Sequence, residues 1–224
     1  MLKSLSIVFA LLLVGCALLR GAGAASADAV AVPDPVVDAP LAAAKGEQTA
    51  VLAGGCFWGV EAVFEHVKGV KSVTSGYAGG GAKPARYEAV SSGTTGHAES
   101  VRISYDPSQI TYGQLLKVFF AVAHDPTELN RQGPDTGTQY RSAIFYASQE
   151  QRRIAESYVE QLNRANVFGR PVVTQVSALD SFHPAESYHQ DYLALHPDEP
   201  YIVVNDLPKL RNLRKQFPQL YVSR

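Results

Sequence analysis

Thr49-Ala50-Val51-Leu52-Ala53-Gly54-Gly55-Cys56-Phe57-Trp58-Gly59 contains a change of period. Thr49 to Ala53 is a short continuous apolar run, the pattern of a buried strand. From Val60 the apolar positions Val60, Val63, Phe64 and Val67 recur at helical spacing. Cys56 therefore falls at a strand-to-helix turn, near the first turn of the helix. Unpaired backbone N–H groups and the helix dipole favour negative charge there. The expectation is a thiol biased toward thiolate, which is the nucleophilic form. Gly54 and Gly55 permit a tight bend, and Phe57 and Trp58, the only Trp, place aromatic surface beside the sulfur. A lone cysteine is also often a small buried hydrophobe, so the stretch alone leaves both readings open.

Working upstream, the chain opens as an export signal. Lys3 precedes an uncharged apolar run from Ser4 to Leu19 that ends at Arg20, short of the roughly 20 residues a membrane span needs. Leu13-Val14-Gly15-Cys16 resembles a lipoprotein signal, in which Cys16 becomes lipid-modified. Ala22-Gly23-Ala24 and Ala25-Ser26-Ala27 resemble ordinary cleavage sites. An uncleaved anchor is the third possibility. Each puts the rest of the chain outside the cytosol, in the periplasm or cell envelope. We take 1–27 as the signal. Residues 28–47, rich in Ala, Val and Pro, have no helical or strand period and are expected to form a disordered linker.

Working downstream, the remaining 48–224 has enough apolar residues for one core and reads as a single domain. The whole chain carries a formal net charge of −1, and nothing points to nucleic acid. Val70 to Tyr77 reads as a strand. Gly79-Gly80-Gly81 and Pro84 force a loop before Tyr87, and a second loop runs from Ser91 to Gly96. Glu99, Val101, Ile103 and Tyr105 share one strand parity. If that parity faces the core, Glu99 is desolvated, its pKa rises, and it can serve as a general acid. As the first residue of the strand it can equally turn to solvent.

Thr111-x-x-Gln114 and Ser148-x-x-Gln151 have the form of capping boxes, opening helices at Leu115 and through about Asn166. Between them a polar loop, His124 to Gln139, carries Asp135 and leads to Tyr140 at the head of a strand. Pro134-Asp135 is also a common turn pair. Val172 to Ala178 reads as a strand, Glu186 to His196 as a helix, and Pro208 to Phe217 as a basic surface helix. The histidines lack the helical spacing of the zinc protease motif, and one cysteine near them is too little for a cluster, so no metal is expected.

Gly54-Cys56-Phe57-Trp58-Gly59, Gly76-Tyr77-x-Gly79-Gly80, Gly96-His97-Ala98-Glu99 and Asp135-x-Gly137-Thr138-Gln139-Tyr140-Arg141-Ser142, in this order, resemble the peptide methionine sulfoxide reductase A family. The likeness runs from about Thr49 to Phe217. It implies an α+β domain with a central mixed sheet flanked by helices. It also implies that Cys56 attacks the sulfur of a methionine S-sulfoxide, free or in oxidised proteins and peptides. Phe57 and Trp58 would then form an apolar wall for the substrate methyl. Tyr87, Glu99 and Tyr140 would surround the sulfoxide oxygen, with Asp135 ordering the site. The cysteine would leave as a sulfenic acid, reset by an external thiol, either a thioredoxin-like protein or dithiothreitol. No bound cofactor is implied, and a monomer is expected. Many relatives carry resolving cysteines; here Ser91 stands in one such position, and Tyr201 to Arg224 has none. A cysteine hydrolase, with His97 or His189 as base, and a noncatalytic exported lipoprotein are the alternatives.

Overall fold

The computed structural model describes residues 30–81 and 85–224; the signal, with Cys16, Ala24 and Ala27, and Pro84 lie outside the described residues. The elements in order are β1 (Gln48–Gly54), α1 (Phe57–Glu65), β2 (Val70–Ala78), α2 (Tyr87–Ser91), β3 (Ala98–Tyr105) and α3 (Tyr112–Val118). They continue with β4 (Arg131–Gln132), β5 (Asp135–Thr136), β6 (Ser142–Tyr146), α4 (Gln149–Arg164), β7 (Gln175–Ala178) and β8 (Phe182–Pro184). Last come α5 (Tyr192–Leu195) and α6 (Leu207–Gln216). Six strands form one sheet in the order β7-β6-β1-β3-β2-β8. β6 and β7 are parallel and joined by α4, and the other pairs are antiparallel. The sheet is thus mixed and the domain α+β.

β1 reads as an unbroken apolar run because both of its faces are covered. Ala50 and Leu52 point into the main core with Tyr77, Val101, Ile103, Tyr105 and Ile144. Val51 and Ala53 point the other way, into a small cluster with Ala78, Ala98, Ala143 and Phe145. The main core takes Val60, Val63 and Phe64 from α1, Leu115 and Leu116 from α3, Ile154, Tyr158 and Leu162 from α4, and Leu213 from α6. Each such side chain contributes about 1.5–3 kcal/mol of transfer free energy. The second cluster is capped by Leu179 and Phe182. The helices that supply the core therefore gather on one side of the sheet rather than flanking it evenly.

The sequence signals for helix ends work in different ways. The Thr111 hydroxyl accepts from the Gln114 N–H at 3.1 Å, and Gln114 Oε1 accepts from the Thr111 N–H at 3.0 Å, a complete capping box. Ser148 caps the Gln151 N–H at 3.2 Å, but Gln151 Oε1 accepts from the Ala147 N–H instead of closing the box.

Two expectations are corrected. Glu186 to His196 is not one helix. A short 3-10 turn, Ser187–His189, is separated from α5 by Asp191 in the left-handed region, φ 55°. Tertiary bonds hold that break: Gln190 clasps both the N–H and the carbonyl of Ser75, and the Asp191 N–H donates to Glu61 Oε2 at 3.0 Å. Second, residues 30–47, expected as a disordered linker, form an ordered strap without regular structure up to Glu47. Val32 is buried in the main core. The Tyr158 hydroxyl donates to the Pro33 carbonyl at 2.7 Å, and the Val36 N–H donates to Gln161 Oε1 at 3.0 Å. Asp38 accepts from the Thr111 hydroxyl and from the Gly113 N–H, placing a carboxylate on the α3 N-terminus. Composition missed this because single anchoring residues spaced along an extended segment leave no period.

Candidate active site

Cys56 is the N-cap of α1 and is 8% exposed. The turn that presents it is crowded. Gly55 has φ +89°, and a Cβ on it would lie 2.6 Å from Gln132, whose β4–β5 hairpin packs over the turn. Gly59, one turn further on, is closer still: a Cβ there would meet Asp206 Oδ1 at 2.1 Å and Lys209 Nζ at 2.7 Å. Only glycine admits those two side chains against the start of α1.

Glu99 faces inward, 3% exposed, on the parity of Val101 and Ile103. Its Oε2 accepts the Phe57 N–H at 3.1 Å, so the carboxyl caps the first turn of the helix that carries the cysteine. Burial pushes its pKa up to about 8; the Phe57 N–H opposes this, and Asp135 and Asp206 reinforce it. Glu99 is consequently a neutral acid near pH 7.

Cys56 departs from expectation. Burial, then Glu99 and Asp206, push its thiol well up, against the Trp58 N–H and Lys209, which act downward. The helix N-terminus is present but is outweighed, so the resting group is a thiol. Dipole position alone does not set a cysteine's charge when the site is dry and lined by carboxyls.

The remaining expected residues converge on the same place. Tyr87 opens α2, and Tyr140 closes a 3-10 turn, Thr138–Tyr140, just before β6. Both phenols are half-buried. Burial raises their pKa, as do the charges of Glu99, Asp135 and Cys56, so both hold their protons. Asp135 is half-buried and follows the tight turn of the hairpin. Burial raises its carboxyl against the Tyr201 hydroxyl, which donates to it, and against Lys209. Phe57 is buried against Tyr77 and His189, with ring centroids 5.9 and 5.0 Å away. Trp58 is half-buried and stacks on Tyr192 at 3.7 Å and 7°; the Tyr201 ring meets it edge-on at 5.9 Å.

Sequence reasoning missed Glu186, Tyr192, Tyr201, Asp206 and Lys209, and named His189 only as a candidate hydrolase base. Glu186 joins three parts of the site. Its Oε2 accepts from the Tyr77 hydroxyl at 3.0 Å and its Oε1 from the Tyr87 N–H at 3.1 Å. Burial pushes its carboxyl up, but these bonds outweigh burial and hold it below the ordinary range. His189 accepts the Trp58 indole N–H through Nδ1 at 3.3 Å, and burial keeps its pKa low. The one available signal is the aromatic density of Tyr188, Tyr192 and Tyr201, the first two of which fall within the helix expected over Glu186 to His196.

For the hydrolase alternative, Nδ1 of His189 is engaged by Trp58, and Nδ1 of His97 accepts from the Gly80 N–H at 3.3 Å. Among the described residues Cys56 is the free cysteine, and no group of three or more His, Cys, Asp or Glu side chains could hold a metal ion. Ser91 directs its hydroxyl to the Tyr87 carbonyl, 2.6 Å away.

Comparison with known proteins supports one family throughout. The family model described as peptide methionine sulfoxide reductase matches residues 48–221. The chain is 59% identical over 179 residues to "Peptide methionine sulfoxide reductase MsrA 2" of Mesorhizobium japonicum, covering 80% of this chain and 92% of that protein. It is 54% identical over 188 residues to the protein of the same name from Synechocystis sp., covering 83% and 88%. Among solved structures, reduced Mxr1 of Saccharomyces cerevisiae superimposes with a TM-score of 0.61 at 33% identity, covering 72% of this chain and 91% of that one. Methionine sulfoxide reductase A of Corynebacterium diphtheriae gives 0.58 at 37%, covering 74% and 86%. With a family model spanning most of the chain and relatives above half identity, this chain belongs to the peptide methionine sulfoxide reductase A family of oxidoreductases.

Proposed function

We propose that the chain reduces the S epimer of methionine sulfoxide, free or in proteins, through a sulfenic acid on Cys56. The observation that carries this reading is the join between Glu99 and the cysteine helix: a buried, protonated carboxyl sits on the Phe57 N–H, one residue from the sulfur. A sulfoxide oxygen leaves sulfur poorly until it is protonated. Glu99, with the phenols of Tyr87 and Tyr140, supplies that proton while the Cys56 sulfur attacks the substrate sulfur. In net terms the thiol and the sulfoxide become a sulfenic acid and a thioether: Cys56 loses two electrons, the substrate gains two, and the oxygen moves to Cys56. Phe57 and Trp58 take the methyl group, and Asp135, held by Tyr201, orders the oxygen side.

The mature domain resets without a second thiol of its own. An outside thiol condenses with the sulfenic acid, releasing water, and another thiol cleaves the mixed disulfide to restore Cys56. A dithiol protein of the thioredoxin type or dithiothreitol fits this role. The leader supports export as a monomer to the periplasm or cell envelope, with lipidation at Cys16 slightly favoured over cleavage near Ala24 or Ala27. Mass spectrometry of the mature N-terminus distinguishes these, and an intact Met1 in the native host would overturn both.

The mechanism is tested by giving the mature protein one equivalent of each sulfoxide epimer without reductant. The S epimer should yield one methionine and a dimedone adduct on Cys56, with no loss of two hydrogens in nonreducing mass analysis. Cys56→Ser should release none. An intramolecular disulfide, or equal consumption of the R epimer, would overturn the reading.

A further inference from the structure

Lys209 and Asp206 pack against Gly59, and nothing in the scheme above uses them. Asp206 is fully buried and sits at the N-cap position of α6. Its Oδ1 accepts from Lys209 Nζ at 3.0 Å, and among the described residues its Oδ2 has no partner. The Lys209 side chain is 20% exposed. Both groups press on the first turn of α1 at the spot left bare by Gly59.

As a structural device this pair is poor. Burying two charges with one carboxylate oxygen unsatisfied costs more than a well-packed apolar pair would. Its location is what distinguishes it. Cys56, Glu99, Asp135 and Asp206 are all acids, and Tyr87, Tyr140 and Tyr201 add phenols to the same region. Lys209 brings a cation to that set. Burial works against its charge, but the charge of Asp206 and its hydrogen bond lead the opposing effects and hold the ammonium above its ordinary range.

We propose that Lys209 is a positioning residue for Cys56: clamped by Asp206 against Gly59, its fixed ammonium is the charge against which the thiolate forms. Asp206 aims that charge, and its own effect on Cys56 is the larger of the two and opposite in sign. The inference rests on the reading above only in taking Cys56 as the group whose ionisation matters.

The test is the pH dependence of iodoacetamide alkylation of Cys56 in the folded mature protein, without sulfoxide. Lys209→Met should move the alkylation midpoint up, the direction of losing a neighbouring opposite charge. Asp206→Asn keeps an acceptor for Lys209 and removes a negative charge, so it should move the midpoint down. Lys209→Arg should fall between wild type and Lys209→Met. A merely structural pair would shift the Met and Asn variants in the same direction, which would overturn the proposal, as would an unmoved midpoint in folded Lys209→Met. Should Lys209→Met fail to fold, Lys209→Gln, which keeps a donor to Asp206 and drops the charge, decides in its place: an upward shift supports the proposal and an unmoved midpoint refutes it. Failure of Cys56 as the sulfoxide nucleophile would instead appear in the dimedone experiment, leaving these alkylation shifts intact.

Discussion

Glu99 and Glu61 are buried to nearly the same degree, 3% and 1% exposed, and both carboxyls are pushed up to about 8. In both, burial is the main cause. They differ in what their oxygens do. Glu61 spends both: Oε1 accepts the Ser75 N–H at 3.3 Å and Oε2 the Asp191 N–H at 3.0 Å. It pins the broken turn before α5 to the flank of α1. Glu99 uses Oε2 on Phe57, and among the described residues Oε1 carries no hydrogen bond, on the side where the phenols and the thiol gather. A raised carboxyl pKa therefore does not by itself mark a catalytic acid. What sets Glu99 apart is an oxygen left over beside the Cys56 thiol and the aromatic rings of Phe57 and Trp58, which is the arrangement the proposed acid role needs.

The contrast breaks if Glu99→Gln is harmless. We expect that variant to lose about 10- to 10⁴-fold in sulfoxide turnover, the usual scale of acid catalysis. The ratio of wild type to variant should shrink as pH rises through about 8, because wild type then loses the same proton. A constant ratio across that range would make Glu99 structural, like Glu61.

The apolar wall is the second distinguishing feature, and Trp58→Ala tests it. Losing an aromatic face against the substrate methyl and stem is worth roughly 1–2 kcal/mol, or about 5- to 30-fold in KM. The alkylation rate of Cys56 by a small probe should change much less. Equal losses in both would mean that Trp58 only shapes the turn.

Glu61→Gln should leave turnover within about twofold of wild type. It should cost about 1–3 kcal/mol in denaturant unfolding, since one backbone N–H would then face an amide donor. The pH dependence follows from the sign of the shift. The folded carboxyl, at about 8, binds a proton more tightly than the unfolded one at 4.5, so its contribution is full below 4.5 and is lost as pH rises through about 8. Glu65, raised to about 7, acts in the same sense. The variant should flatten this fall. An unchanged slope would remove Glu61 from the account.

These two acids also show what one chain of letters can reveal. Strand parity oriented Glu99 because its β3 neighbours Val101 and Ile103 alternate with exposed Arg102. Nothing comparable existed for Glu61, a charged residue in a short helix whose acceptor duty depends on a segment 130 residues away. The period change around Cys56, the Thr111 box and the β6-α4-β7 unit were local and legible. The charge state of Cys56 was not, because it depends on Asp206 and Glu99, which reach the cysteine from α6 and β3. Likewise the need for glycine at 59, inside α1, is legible only once Asp206 and Lys209 are seen to occupy the place of its missing Cβ.

The strap has a consequence for amide exchange. The family match begins at residue 48, yet the Gly113 N–H is satisfied by Asp38, and Gln161 by the backbone of Val36 and Asp34. The cooperative unit therefore begins ahead of the conserved domain. A protein shortened to residue 48 would retain every group of the site and still exchange faster at the start of α3. Protection at Gly113 would thus report whether the segment from Val32 to Asp38 is docked, whatever the state of the thiol.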